Sequence, residues 1–184
     1  MPPINPRSIS GPKAGGDSGT CTWAAEKLRG TWELATTDSS IEWDLAIENP
    51  GEEQRWLEVT VSLPAPLDVP WAAWDGISET PEVTQLVTRQ GIAHAFPMMC
   101  VYDSKRGLAL GLQPQMLLSS MSVGSDPARN DRTLYLTAQV VIDPGATETV
   151  ELVSFPFGPE FGWRDALEKD YDLYPKWFNV TEGI

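Results

Sequence analysis

The sequence predicts an all-β fold, an antiparallel β-sandwich closed by one C-terminal amphipathic α-helix. Three observations carry this. Short segments alternate apolar and polar residues with a period of two. Clusters of Gly, Pro, Asn and Asp punctuate them at short intervals. The period changes to that of a helix once, between Trp163 and Tyr174. No βαβ pattern recurs and no internal repeat is present. A chain of 184 residues buries roughly 70% of its unfolded surface on folding, so it needs neither metal nor disulfide to fold.

Residues 1–20 are rich in Pro, Gly and Ser and poor in apolar side chains, so they are expected to form a flexible tail. Residues 21–160 then form the sandwich, and 161–184 a helix and linker packed on it. Strands begin near Leu28, with Thr31 to Thr36 the first short one. Ile41, Trp43, Leu45 and Ile47 alternate with Glu42, Asp44, Ala46 and Glu48. Leu57, Val59, Val61 and Leu63 alternate with Glu58, Thr60 and Ser62. The turn-forming Asn49-Pro50-Gly51-Glu52 between them predicts a hairpin with one wet face.

The stretch Pro64 to Pro81, broken by Pro66 and Pro70, reads as a long loop because proline cannot donate to a strand ladder. Glu82 to Gln90 resumes as a strand. Met98 to Tyr102 and Leu108 to Leu112 form a hairpin around Asp103-Ser104-Lys105-Arg106-Gly107, with Gly107 expected at positive φ. Their nearly continuous apolarity predicts strands covered on both faces.

A further strand spans Met116 to Met121, and Gly124 to Arg132 is a polar loop. Leu134, Leu136, Ala138, Val140 and Ile142 give the cleanest alternation. Asp143-Pro144-Gly145-Ala146 turns the chain into Thr149 to Phe155. Trp163, Ala166, Leu167, Tyr171 and Tyr174 then share a helical stripe, opposite Arg164, Asp165, Glu168, Lys169 and Asp172, until Pro175 ends it. Trp177 and Phe178 look like the start of contact with something that follows.

The net charge of −13 argues against nucleic acid and anionic membrane as partners, since too few cations are present to neutralise phosphates. No apolar run approaches the ~20 residues of a membrane span. The N-terminus shows no charged-then-apolar signal segment, although a processed fragment would look the same. A secreted or extracytoplasmic location stays open.

Most chemistry-bearing patterns fail on inspection. Cys21 and Cys100 are too far apart in sequence to imply or exclude a disulfide, and Cys100 reads as a buried core thiol. His94 stands alone in GIAHAF and reads as structural. Two cysteines and one histidine give no zinc spacing. Asp126, Asp131 and the loop around them have the oxygen ligands that calcium takes, but their spacing matches no EF-hand pattern, so a solvated loop is the expectation and calcium the alternative. Glu42, Asp44 and Glu48 share an outward strand face and read as solvated. No glycine-rich loop matches a phosphate cradle, so no cofactor is expected. Asn179-Val180-Thr181 is a sequon that chance explains.

The segment Trp71-Ala72-Ala73-Trp74-Asp75-Gly76 carries the best functional signal. Sugars pack their C–H faces on aromatic rings and offer hydroxyls to carboxylates. Trp71, Trp74 and Asp75 on a proline-stiffened loop suit that task, because a stiff loop loses less entropy on binding. The competing reading folds both indoles over the sandwich edge. In that case an outward sheet face near Tyr135 and Gln139 is the next place for a site.

Three stretches carry a family likeness: VYDSKRGLALGL within Pro97 to Leu112, VIDPGATETVELVSF from Val141 to Phe155, and GWRDALEKDYDLYPKWF from Gly162 to Phe178. Their order resembles the accessory, galactose-mutarotase-like or supersandwich domain that precedes the catalytic domain of some large glycoside hydrolases, or a related carbohydrate-binding module. The resemblance covers about the last 90 residues, and its motifs belong to the scaffold. It implies that the catalytic acids lie in a C-terminal catalytic domain outside this chain, so no catalytic residue carries over.

The expected function is therefore a non-catalytic, carbohydrate-associated module with a poly- or oligosaccharide as partner. The alternative is a β-sandwich protein-interaction domain without sugar affinity. An enzyme active by itself comes third.

Overall fold

The computed structural model describes residues 18–25, 27–65, 71–73, 79–80, 86–89, 98–116, 120–126 and 133–178. They build two antiparallel sheets and two C-terminal helices. The large sheet contains Ser18–Ala25 (β1), Leu28–Thr36 (β2) and Ile41–Glu48 (β3). The small sheet begins with Arg55–Pro64 (β4). Trp71–Ala73 (β5), Glu79–Thr80 (β6) and Leu86–Arg89 (β7) are short. Met98–Tyr102 (β8), Gly107–Leu112 (β9), Ser120–Asp126 (β10), Thr133–Ile142 (β11) and Thr147–Phe157 (β12) follow. The strand orders are β1-β2-β3-β12-β9-β8-β5-β6 and β4-β11-β10-β7.

Between the sheets lies the main core. The large sheet contributes Leu45, Ile47, Met99, Val101, Leu110, Leu112, Val150 and Leu152, and the small sheet Val61, Leu134, Leu136, Ala138, Val140 and Ile142. These are the alternate residues of each strand, as a pleated strand with one covered face requires. Burial of such side chains stabilises by about 1.5–3 kcal/mol each.

The opposite face of β8, β9 and β12 carries a second apolar cluster of Met98, Cys100, Tyr102, Ala109, Val153, Phe155 and Phe157. The helix Trp163–Leu173 (α1) covers it with Ala166, flanked by Trp163, Leu167, Leu173 and Tyr174. So the 98–112 hairpin is covered on both faces, as its unbroken apolarity predicted, and Cys100 is buried. Pro156 falls where β12 has lost β3 and pairs β9 alone, so its missing N–H costs less of the ladder.

Several expectations are corrected. A strand, β1, lies upstream of Leu28 and pairs along its full length with β2. The segments 41–48 and 57–63 do not form a hairpin: β3 pairs β2 and β12, while β4 pairs β11 in the other sheet. Their connection is a sheet-to-sheet crossover pinned by Asn49, whose buried amide Nδ2 donates to Glu53 O at 2.8 Å and Ile142 O at 3.1 Å. Hairpin turns and crossovers share Asn, Pro and Gly, so composition did not separate them.

The 64–81 stretch is not wholly loop, since β5 and β6 extend the large sheet beside β8. β10 runs on to Asp126, into the stretch read as loop. Gly107 is not at positive φ. The 103–107 turn closes instead through Asp103 Oδ1, which accepts from the backbone N–H of Lys105 (2.8 Å) and Arg106 (3.0 Å). Those two bonds hold the Asp103 carboxyl below its usual range. Glycine is needed at 107 because a Cβ would overlap the Phe157 ring. Positive φ is used instead at Gly145 (71°), in the β11–β12 turn.

Two helices close the chain, not one. α1 ends at Leu173, and Pro175–Phe178 forms a short second helix (α2) with proline at its first position. Tyr171, expected against the sheet, is 42% exposed and stacks on Phe178 with ring centroids 4.4 Å apart.

Candidate functional site

Of the three residues singled out as sugar-contacting, Trp71 opens β5, where it pairs with Tyr102 of β8. Trp74 and Asp75 lie outside the described residues. So do His94, Asp131 and the 179–181 sequon. No group of His, Cys, Asp or Glu suited to a metal ion occurs among the described residues.

What the described residues do form is a continuous polar surface on the outward face of the large sheet, beside α1. Cross-strand register builds it row by row. Arg29 of β2 faces Glu48 of β3, which faces Thr147 of β12. Thr31, Ala46 and Thr149 make the next row, and Glu33, Asp44 and Glu151 the third. Small side chains leave an open trough of about 610 Å³ over the first two rows, lined by Thr22, Ala24, Arg29, Thr31, Ala46 and Glu48 among others. Arg29, Glu48 and the threonines that line it offer donors and acceptors to a polar ligand.

The third row is unusual. Like charges directly opposite one another on adjacent strands repel, yet Glu33, Asp44 and Glu151 stand in line. Burial, and then the charges of Glu151 and Glu33, raise the Asp44 carboxyl above its ordinary range. A hydrogen bond from Gln113 Nε2 to Asp44 Oδ1, 3.2 Å, opposes that rise. Asp44 is thus half-buried, not simply solvated as its outward strand position predicted.

Helix α1 brings a second acidic feature to this face. Asp170 is buried, and burial pushes its carboxyl up to about 7. Its Oδ1 and the Tyr174 hydroxyl have no hydrogen-bond partner among the described residues. Burial also raises the Tyr174 hydroxyl, helped by the charges of Glu42, Asp170, Asp44 and Glu151. The phenol therefore feels the charge of both the helix carboxyl and the acidic row. Sequence reasoning passed over Asp170, although it lies seven residues after Trp163 and so on the inward stripe.

No family model matches the chain, and no curated protein matches it. Solved structures do. The GH36 α-galactosidase AgaA from Geobacillus stearothermophilus, in complex with 1-deoxygalactonojirimycin, superposes with a TM-score of 0.53 at 15% identity. The match covers 80% of this chain and 24% of that enzyme. Slr1438 from Synechocystis gives a TM-score of 0.49 at 9% identity, over 70% of this chain and 54% of that one. A galactose mutarotase-like protein from Lactobacillus casei gives 0.48 at 7%, over 78% and 71%. The chain thus spans about a quarter of the α-galactosidase it resembles. At such identity the likeness is one of fold alone, shared with the part of the α-galactosidase that this chain matches.

Proposed function

We propose that this chain is a carbohydrate-associated β-sandwich module that acts beside a catalytic domain and turns over no sugar by itself. The observation that supports it is the extent of the fold match: most of this chain corresponds to a quarter of an α-galactosidase in complex with 1-deoxygalactonojirimycin. The polar outward face, with its trough and hydrogen-bonding side chains, accords with a polyhydroxylated ligand. In this reading the sandwich starts at Ser18 with β1, not after a tail that reaches residue 20, and runs to 160, and 161–184 are the helix and linker. Trp71, Trp74 and Asp75 contact the sugar.

The test has two arms. Purified chain should leave an aryl α-galactoside unhydrolysed; sustained hydrolysis abolished by one carboxylate substitution would reverse the non-catalytic reading. Trp74→Ala should weaken polysaccharide binding about tenfold, the loss of roughly 1 kcal/mol or more of stacking, at an unchanged melting temperature. A lowered melting temperature with binding intact makes Trp74 structural.

A second reading, a protein-interaction domain without sugar affinity, draws on the C-terminal segment. Phe161 is 65% exposed and Trp177 58%, close in sequence to the stacked Tyr171 and Phe178. Exposed aromatics of this kind mark contact surfaces.

A further inference from the structure

On the outward face of the small sheet the Trp56 ring is exposed and hydrogen-bonded. Trp56 is 72% exposed. It lies on β4 in phase with the exposed Glu58, Thr60 and Ser62, because Leu57, Val59 and Val61 turn inward. Its indole Nε1 donates to Gln54 Oε1 at 3.2 Å, and Gln54 Nε2 donates to Asp143 Oδ1 at 2.7 Å. Asp143 belongs to the β11–β12 turn, so the ring is tied to a neighbouring strand end and loses little freedom on binding.

From Trp56 the same face runs along β4 and β11. Trp56 stands opposite Val141, Glu58 opposite Gln139, Thr60 opposite Thr137, and Ser62 opposite Tyr135. Gln139 Nε2 reaches Glu58 Oε1 at 3.4 Å, and the Thr60 and Thr137 hydroxyls are 2.8 Å apart. Two aromatic residues therefore lie about 20 Å apart along the strands, with amide, carboxylate and hydroxyl groups between them. That length suits a chain of sugar rings.

We propose that this face, centred on Trp56, is a saccharide-binding platform for a neutral oligo- or polysaccharide laid along β4 and β11. It rests on the carbohydrate reading above but is independent of Trp71, Trp74 and Asp75. One sugar ring stacks its C–H face on the Trp56 indole, and neighbouring hydroxyls bond to Glu58, Gln139, Thr60 and Thr137. A protein partner fits less well, because interface cores are depleted of charge, and here Glu58 sits beside the ring. Nucleic acid is disfavoured by Glu58, Asp143 and the net charge of −13.

Affinity electrophoresis of the full chain through gels containing galactomannan or mixed-linkage β-glucan tests this. Wild type should be retarded in one of them. Trp56→Ala should bind about tenfold more weakly with an unchanged melting temperature, and Trp56→Phe should recover most of the retardation. Gln139→Ala, which leaves the ring in place, should also reduce retardation. It decides the matter if Trp56→Ala is poorly folded. Retardation of both alanine variants equal to wild type overturns the platform while leaving the carbohydrate reading intact. No retardation of wild type in either gel also overturns the platform; the carbohydrate reading is judged separately by a broader glycan array.

Discussion

Asp170 of α1 and Tyr174, the residue that caps its C-terminus, stand one turn apart, joined by the Tyr174 N–H to the Asp170 carbonyl at 3.1 Å. Neither the Asp170 Oδ1 nor the Tyr174 hydroxyl finds a hydrogen-bond partner among the described residues. Such groups cost about 1–3 kcal/mol each when desolvated without a partner. The carboxyl lowers its share by holding a proton.

A pH dependence follows. The Asp170 carboxyl titrates near 7 in the fold and near 4 when unfolded, so the folded state binds the extra proton between those values. Stability should be highest at and below about pH 4 as far as this group is concerned. It should fall as pH rises toward 7 and then level off. The raised Asp44 carboxyl acts in the same direction. Asp170→Asn should flatten the slope and raise stability at pH 8 by on the order of 2–4 kcal/mol. Urea denaturation at pH 5 and pH 8 reads this. A wild type equally stable at both, or an Asn variant weaker at pH 8, contradicts it.

Gly107 should tolerate no side chain. A Cβ there would overlap the Phe157 ring, whose neighbours include Tyr102 at 6.0 Å between centroids. Gly107→Ala should cost about 1–3 kcal/mol by overpacking. Phe157→Leu in the same chain should recover part of that loss, so the two substitutions should be non-additive. Strict additivity in a double-mutant cycle would show that the alanine acts elsewhere.

The helix stripe separates two residues that looked alike. Leu167 packs on the second apolar cluster, whereas Tyr171 faces solvent and Phe178. Leu167 is half-buried, so Leu167→Ala should cost about 2 kcal/mol, the low end for a buried leucine. Tyr171→Ala should shift stability by less than about 1 kcal/mol. Equal denaturation midpoints for the two variants would count against α1 docking by this face.

What the sequence revealed follows from period. Leu57 to Leu63 and Leu134 to Ile142 alternate cleanly, so their covered faces were legible and are the faces buried between the sheets. The hairpin at 98–112 lacks alternation because both its faces are covered, one by the small sheet and one by α1. Pairing was less legible. Nothing in Asn49-Pro50-Gly51-Glu52 says that the chain changes sheets there, because the deciding bonds run from Asn49 to Ile142 and Asp143, far along the chain.

The surfaces follow the same division. Trp56 was readable as outward from the phase of Leu57 and Val59, but its tie to Gln54 and Asp143 was not. Asp170 sat on the helix stripe and was hidden by its charge. The Glu33–Asp44–Glu151 row depends on register across three strands, which composition does not set.

Carbohydrate association is decided by glycan-array binding of the intact chain. The intact chain should be retained on one class of oligo- or polysaccharide, and retention should be lost when Trp56, Trp71 and Trp74 are replaced together by alanine in a chain that still folds. Absence of binding to every sugar on the array, by a folded wild-type chain, would contradict it.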